Sequence, residues 1–175
     1  MKARCKNGVY RSDKMKSLNE KTNAVRLLTQ KKINFTVHSY ASHSSEALSG
    51  TEVAEILGQN EDDVFKTLVT VGKSNQHYVF MVPVAKELDL KKAARTVGEK
   101  SIEMIKSRDL LELTGYIHGG CSPVGMKKFF RTTVDISAHS KEKIFFSGGR
   151  IGLQIETSPK ELEKVIRLEY ADITI

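Results

Sequence analysis

A lysine stands inside an otherwise apolar, strand-like run, Asp63-Val64-Phe65-Lys66-Thr67-Leu68-Val69. Alternation puts Val64, Lys66 and Leu68 on one face, and a lysine is almost never fully buried without a partner. Either this face meets solvent at a sheet edge, where lysines commonly discourage pairing, or it lines a cavity that takes an anionic or carbonyl ligand. A second segment with chemical potential is 115–125, GYIHGGCSPVG, with four glycines and a proline. Adjacent N–H groups in so tight a loop can bind an anion or a developing oxyanion; a bulged hairpin turn has the same composition. A third is Ser147-Gly148-Gly149-Arg150-Ile151-Gly152, where Arg150 either reaches a phosphate or is solvated.

Other chemistries lack their residues. The loops end in no Gly-Lys-Ser/Thr and contain no dinucleotide fingerprint. The five histidines, His38, His43, His77, His118 and His139, show no metal-ligand spacing, and no metal or other cofactor is expected. There is no Gly-x-Ser-x-Gly elbow. Cys5 and Cys121 form no Cys-x-x-Cys pair and read as free thiols. His118, beside the glycine loop, is the one histidine to test as a base, although a histidine next to a turn is more often structural.

The net charge of +7 suggests a polyanionic partner, but seven basic and two acidic residues fall within 1–21. The excess therefore belongs mainly to the N-terminal stretch, which reads as a flexible basic extension able to raise affinity for phosphates without specificity. Residues 22–175 read as one domain. No apolar run approaches the ~18 residues of a membrane span, and the opening residues lack the apolar core of a secretory signal. A cytoplasmic location is the expectation.

The positioning elements follow from periodicity and punctuation. Thr22 caps a helix carrying Leu27 and Leu28. Asn34–Tyr40 alternates as a strand. Thr51 starts a short helix ended by Gly58. Val64–Val71 and His77–Val84 read as strands joined by a hairpin loop. Asp89 caps a helix to Val97, and Ser107–Leu113 is another. Tyr116–His118, Phe129–Val134, Lys143–Phe146 and Ile151–Glu156 read as strands, and Ser158-Pro159 opens a last helix bearing Leu162, Val165 and Ile166. Strands outnumber helices without a βαβα rhythm. That pattern predicts an α+β fold with a mixed, largely antiparallel, barrel-like sheet and peripheral helices.

Six segments occur in the order found in one family: TNAVRLL from Thr22, Phe65-Lys66-Thr67-Leu68, Val82-Pro83-Val84, LDLKK from Leu88, Gly115-Tyr116 with the Gly119–Gly125 loop, and Ser147-Gly148-Gly149 through Gly152. From about Thr22 to the end the chain resembles the YbaK/EbsC-type aminoacyl-tRNA deacylases, relatives of the editing domain inserted in bacterial prolyl-tRNA synthetases. The resemblance implies that Lys66 is the essential pocket lysine and Tyr40 a pocket tyrosine. It also implies that Thr67, Gly119, Gly120, Ser122, Ser147, Gly148 and Gly149 surround the ligand. Two positions depart from the family pattern: Ser49 stands where the best-known members have a pocket phenylalanine, and Gln154 replaces the usual aspartate.

The resemblance further implies a reaction: hydrolysis of an amino acid wrongly esterified to tRNA, with cysteine on the tRNA for proline the first expectation and alanine or serine esters next. An ester is already activated, so the site must mainly position the carbonyl and stabilise charge on its oxygen. Lys66 and the loop N–H groups would do so. The neighbouring ribose hydroxyl, or the thiol of a cysteinyl ester, would take the place of a protein nucleophile; thiol cyclisation would make the enzyme a lyase rather than a hydrolase. Aminoacyl-tRNA and a prolyl-tRNA synthetase are the expected partners. A non-catalytic tRNA- or synthetase-binding module is the alternative.

Overall fold

The structure, a computed structural model, describes residues 9–11, 22–41, 43 and 46–175. Cys5 and most of the basic stretch lie outside the described residues. The first elements are β1 (Val9–Arg11), α1 (Asn23–Gln30), β2 (Phe35–Ser39), α2 (Gly50–Leu57), β3 (Phe65–Gly72), β4 (His77–Pro83) and α3 (Leu90–Val97). They are followed by β5 (Ile102–Met104), α4 (Ser107–Thr114), β6 (Arg131–Asp135), β7 (Ile144–Ser147), β8 (Leu153–Thr157), α5 (Pro159–Glu163) and β9 (Leu168–Ala171).

Caps set the helix boundaries. The Thr22 hydroxyl accepts the Val25 N–H at 3.2 Å and donates to the Gly148 carbonyl at 2.5 Å, so one side chain opens α1 and ties it to a distant turn. Ser49 and Glu52 form a reciprocal capping box at the start of α2, and Gly58, at φ 64°, closes that helix in the left-handed region. Asp89 accepts the N–H groups of Lys91 and Lys92 to open α3.

The strands form two sheets, β1-β2-β8-β7 and β5-β3-β4-β6-β9. Five of the seven pairings are antiparallel; β4–β6 and β6–β9 are parallel. The mixed α+β architecture expected from the sequence is present, with its strands divided between two sheets. A parallel bridge between Val64 and Phe145 joins them at one corner.

β4 explains how the layers stack. It is apolar at nearly every position because both of its faces are covered. Val79 and Met81 enter the core between the sheets with Phe35, Val37, Phe146, Leu153 and Ile155. Tyr78, Phe80 and Val82 face the opposite layer under Ala93, Ala94 and Val97 of α3.

The sequence reading differs from the structure in four places, one of them β1, which went unread within the basic extension. Residues 116–118 are not a strand: Gly115 and Gly119, at φ 84° and 83°, turn the chain on either side of them. The last helix stops at Glu163, and the apolar positions that extended it, Val165 and Ile166, continue through a turn into β9. β5 went unread because three residues carry too little periodicity to register. Among the described residues no helix is long and apolar enough to cross a membrane.

Candidate active site

β3 pairs with β4 from Phe65 to Val71, but with β5 only over Thr70–Gly72. Its first half therefore keeps one open edge, and a cavity of about 610 Å³ lies against it. Every residue from Val64 to Val69 lines this cavity. Side chains of both strand faces contribute, so the cavity meets the strand edge-on. The two readings of Lys66, edge lysine and cavity lysine, describe the same place.

Lys66 Nζ donates to Glu87 Oε1 at 3.2 Å. The Lys66 side chain is 27% exposed and that of Glu87 78% exposed. Glu87 lies just beyond β4, the strand that pairs with Lys66 through Val82. Sequence reasoning missed it because nothing in AKELDLKK separates Glu87 from the helix-capping Asp89. The neighbouring Thr67 also lines the cavity, and its hydroxyl oxygen is buried with no hydrogen-bond partner among the described residues. A buried polar atom without a partner is rare enough to need a reason.

The rest of the wall comes from α2, β8, β7, α4 and the 115–125 segment. Tyr40 is buried there, its backbone N–H bonded to the Gly152 carbonyl at 2.9 Å. Burial pushes its phenol upward, against a hydrogen bond with the Gly152 backbone. Ser147 of β7 and Gln154 of β8 face each other across the sheet and both line the cavity. Gln154 is only 3% exposed and shares two hydrogen bonds with Gln59, at 2.6 and 2.9 Å. Ser49 stands at the exposed rim, where its hydroxyl is occupied with the α2 cap. Gly119 lines the cavity beneath Ala47; a Cβ there would come within 2.7 Å of the Ala47 Cβ.

Four expected ligand-facing residues stand elsewhere. Ser122 is fully buried, its hydroxyl accepting the Val124 N–H. Gly120 packs on the Arg150 backbone, where a Cβ would sit 2.8 Å from Arg150 Cα. Gly149 leaves room for Tyr116 and Thr22, and Gly148 for Leu153. The expected cradle of free N–H groups is also reduced. Gly120 N–H donates to the Ile117 carbonyl, Gly148 N–H to the Leu153 carbonyl and Gly149 N–H to the Ser147 hydroxyl. These glycines give close packing behind the cavity wall, and their N–H groups are already bonded within the turns.

Two further groups border the cavity. His118 is exposed at its mouth. Cys121 is buried, and burial pushes its thiol up to about 12 against a hydrogen bond with Thr114. It is a protonated packing residue at neutral pH. Among the described residues no three His, Cys, Asp or Glu side chains gather in a way that could hold a metal ion. The site is thus a largely apolar cavity with one ammonium, a few hydroxyls and a buried carboxamide, suited to a small polar ligand with an acceptor oxygen.

Comparison with known proteins places the chain in a class. The sequence model of the aminoacyl-tRNA editing domain matches residues 44–165, and the chain belongs to that family. Among curated proteins it is 42% identical over 159 residues to EbsC of Enterococcus faecalis, named as a candidate Cys-tRNA(Pro)/Cys-tRNA(Cys) deacylase; the match covers 91% of this chain and 96% of that one. It is 34% identical over 106 residues to the proline–tRNA ligase of Thermodesulfovibrio yellowstonii, 61% of this chain and 18% of the ligase. Among solved structures it shares its fold with a candidate trans-editing enzyme for prolyl-tRNA synthetase, at a TM-score of 0.77 and 24% identity, over 90% of this chain and 98% of that one.

Proposed function

We propose that this chain removes a small, wrongly attached amino acid from tRNA by ester cleavage at the β3 edge, with cysteine on the tRNA for proline as its first substrate. One observation carries the reading: the Lys66 ammonium stands on the border of a largely apolar cavity, held among the described residues by one exposed carboxylate. A surface pair of this kind contributes little, about 0–1 kcal/mol, so a ligand oxygen can displace Glu87 at small cost.

In this mechanism Lys66 is the catalytic residue. Its ammonium pairs with the ester carbonyl oxygen or the adjacent terminal phosphate and steadies the negative charge that develops during attack. Tyr40, Thr67, Ser147 and Gln154 surround the aminoacyl group, and the unpartnered Thr67 hydroxyl is the natural partner for one of its polar atoms. The protonated Cys121 is not the nucleophile. The substrate supplies the reactive group. Either the neighbouring ribose hydroxyl assists water, or a cysteinyl thiol attacks its own carbonyl carbon, a C–S bond forms as the C–O ester bond breaks, and the thiol's proton ends on the departing ribose oxygen, leaving a cyclic thioester and a free tRNA terminus. Water gives hydrolysis; cyclisation is an intramolecular acyl transfer that frees the tRNA without water, which puts the step in the lyase class. Selectivity rests on cavity size, with prolyl-tRNA synthetase as the partner that delivers mischarged tRNA.

The test is a panel of tRNAs carrying cysteine, alanine, serine or proline, each incubated with wild type and with Lys66→Ala. Cysteinyl ester should disappear fastest with wild type and persist with the variant. Equal turnover by the two proteins would remove the lysine from the mechanism, and no turnover of any ester would remove the editing reading.

A further inference from the structure

The Gln59–Gln154 pair joins two parts of the molecule that the proposed reaction needs at a fixed spacing. Gln59 follows the left-handed Gly58, and its backbone N–H closes α2 on the Ala54 carbonyl at 2.8 Å. At the opposite end of α2, Ser49, Gly50, Thr51 and Val53 border the cavity. Gln154 sits on β8, 3% exposed, and borders the same cavity. Gln59 itself does not line it.

The chemistry of the contact is specific. Each carboxamide has two N–H donors and an oxygen with two lone pairs. Gln59 Nε2 donates to Gln154 Oε1, and Gln154 Nε2 donates back to Gln59 Oε1. Only an amide at both positions can make both bonds; an aspartate or glutamate at 154 has no N–H to return. The pair consumes one donor and one acceptor of Gln154, which leaves it one neutral N–H and one lone pair. It brings no fixed negative charge to the cavity.

We infer that Gln59 is a specificity-determining residue that acts through Gln154, clamping α2 to β8 and so fixing the width of the cavity for small aminoacyl groups. This inference rests on the editing reading. In a packed wall the difference between admitting and refusing one methylene is ~10–200-fold in kcat/KM. A clamp that sets the wall position therefore acts on the ratio between substrates more than on any single rate.

The experiment measures kcat and KM of wild type, Gln59→Leu and Gln59→Asn on a graded set of esters, alanyl, cysteinyl, prolyl and valyl, carried by one tRNA. Leucine keeps the bulk and removes both bonds; asparagine keeps the amide but withdraws it by a methylene. The expected result is a fall of about tenfold in the ratio of cysteinyl to valyl kcat/KM, through a rise on the valyl ester. Loss of folding alone lowers both rates and leaves their ratio unchanged. Gln154→Leu should shift the ratio similarly, and the double variant Gln59→Leu/Gln154→Leu should add little, since the two act as one contact. A folded Gln59→Leu with the wild-type ratio overturns this inference and leaves the editing reading intact. A wild type that cleaves no ester overturns both.

Discussion

Lys66 and His38 are both basic side chains set within strands, and the molecule treats them in opposite ways. Lys66, at an open stretch of β3, is joined to a carboxylate that is itself mostly in water. His38, on β2, stands 3.6 Å from Glu156, with the two side chains 12% and 20% exposed. The His38 ring meets Phe145 edge-on at 5.7 Å, and Lys143 also pairs with Glu156, at 3.3 Å. Burial lowers the His38 pKa despite the adjacent carboxylate, because removing the charged ring from water outweighs the attraction. One strand sets its cation beside a carboxylate that stands in water; on the other, burial disfavours a cation. The difference lies in what covers each strand edge, since β8 pairs along all of β2 whereas β5 leaves half of β3 bare.

The contrast can be broken first at Cys121, the cavity-lining group that should behave like His38. With its thiol raised to about 12 from 9.0, the thiolate fraction at neutral pH is lower by on the order of 10³. Alkylation by iodoacetamide in the native protein should be slower than in urea by a similar factor, after mass spectrometry has separated Cys5 from Cys121. Rapid native modification would place Cys121 with the available groups.

The second test crosses the two sites. Lys66→Met should lower deacylation by about 10² or more, the scale for removal of one charge-stabilising donor, while the urea midpoint stays near wild type. Glu156→Gln should do the reverse, lowering stability by up to about 1 kcal/mol through loss of the Lys143 ion pair, with turnover retained. If both variants lose stability equally, the distinction between the two strands fails.

A pH titration of stability sharpens the buried side. Because the folded His38 pKa lies below its ordinary value of ~6.5, the unfolded chain binds the extra proton first. The folding free energy should therefore hold above about pH 6.5 and decline as the pH falls from there toward the lowered folded value. His38→Gln should flatten that decline in urea titrations. The carboxylates held low by hydrogen bonds, Glu52, Glu99, Glu161 and Asp172, lose their contributions at more acidic pH, as each is protonated through its lowered folded pKa. The two ranges can be separated.

What was legible in the sequence follows the range of the forces involved. Caps and periodic strands are local, so Thr22, Asp89, Gly58 and the β3–β4 hairpin could be read directly. The family motifs carried Lys66, Tyr40, Ser147 and Gln154 to a common cavity. The two glycine turns were the ambiguous signal: an N–H cradle and close packing require the same residue, and only the third dimension shows that Gly120, Gly148 and Gly149 serve packing. Glu87 and Gln59 were invisible because each gains its meaning from a partner 21 or 95 positions away.

The smallest expected effect is at Glu87. With its side chain 78% exposed, the carboxylate contributes at most about 1 kcal/mol to folding, so Glu87→Gln should leave the urea midpoint almost unchanged. In the proposed reaction it would act as a competitor, since it occupies the ammonium assigned there to the ester or phosphate oxygen. Neutralising it should lower KM for aminoacyl-tRNA a few-fold with kcat maintained, and the gain should shrink as salt screens the attraction. A fall in kcat would instead show that Glu87 works on the bound ester. The carboxylate would then belong to the catalytic apparatus, and Lys66 and His38 would differ less than their exposures suggest.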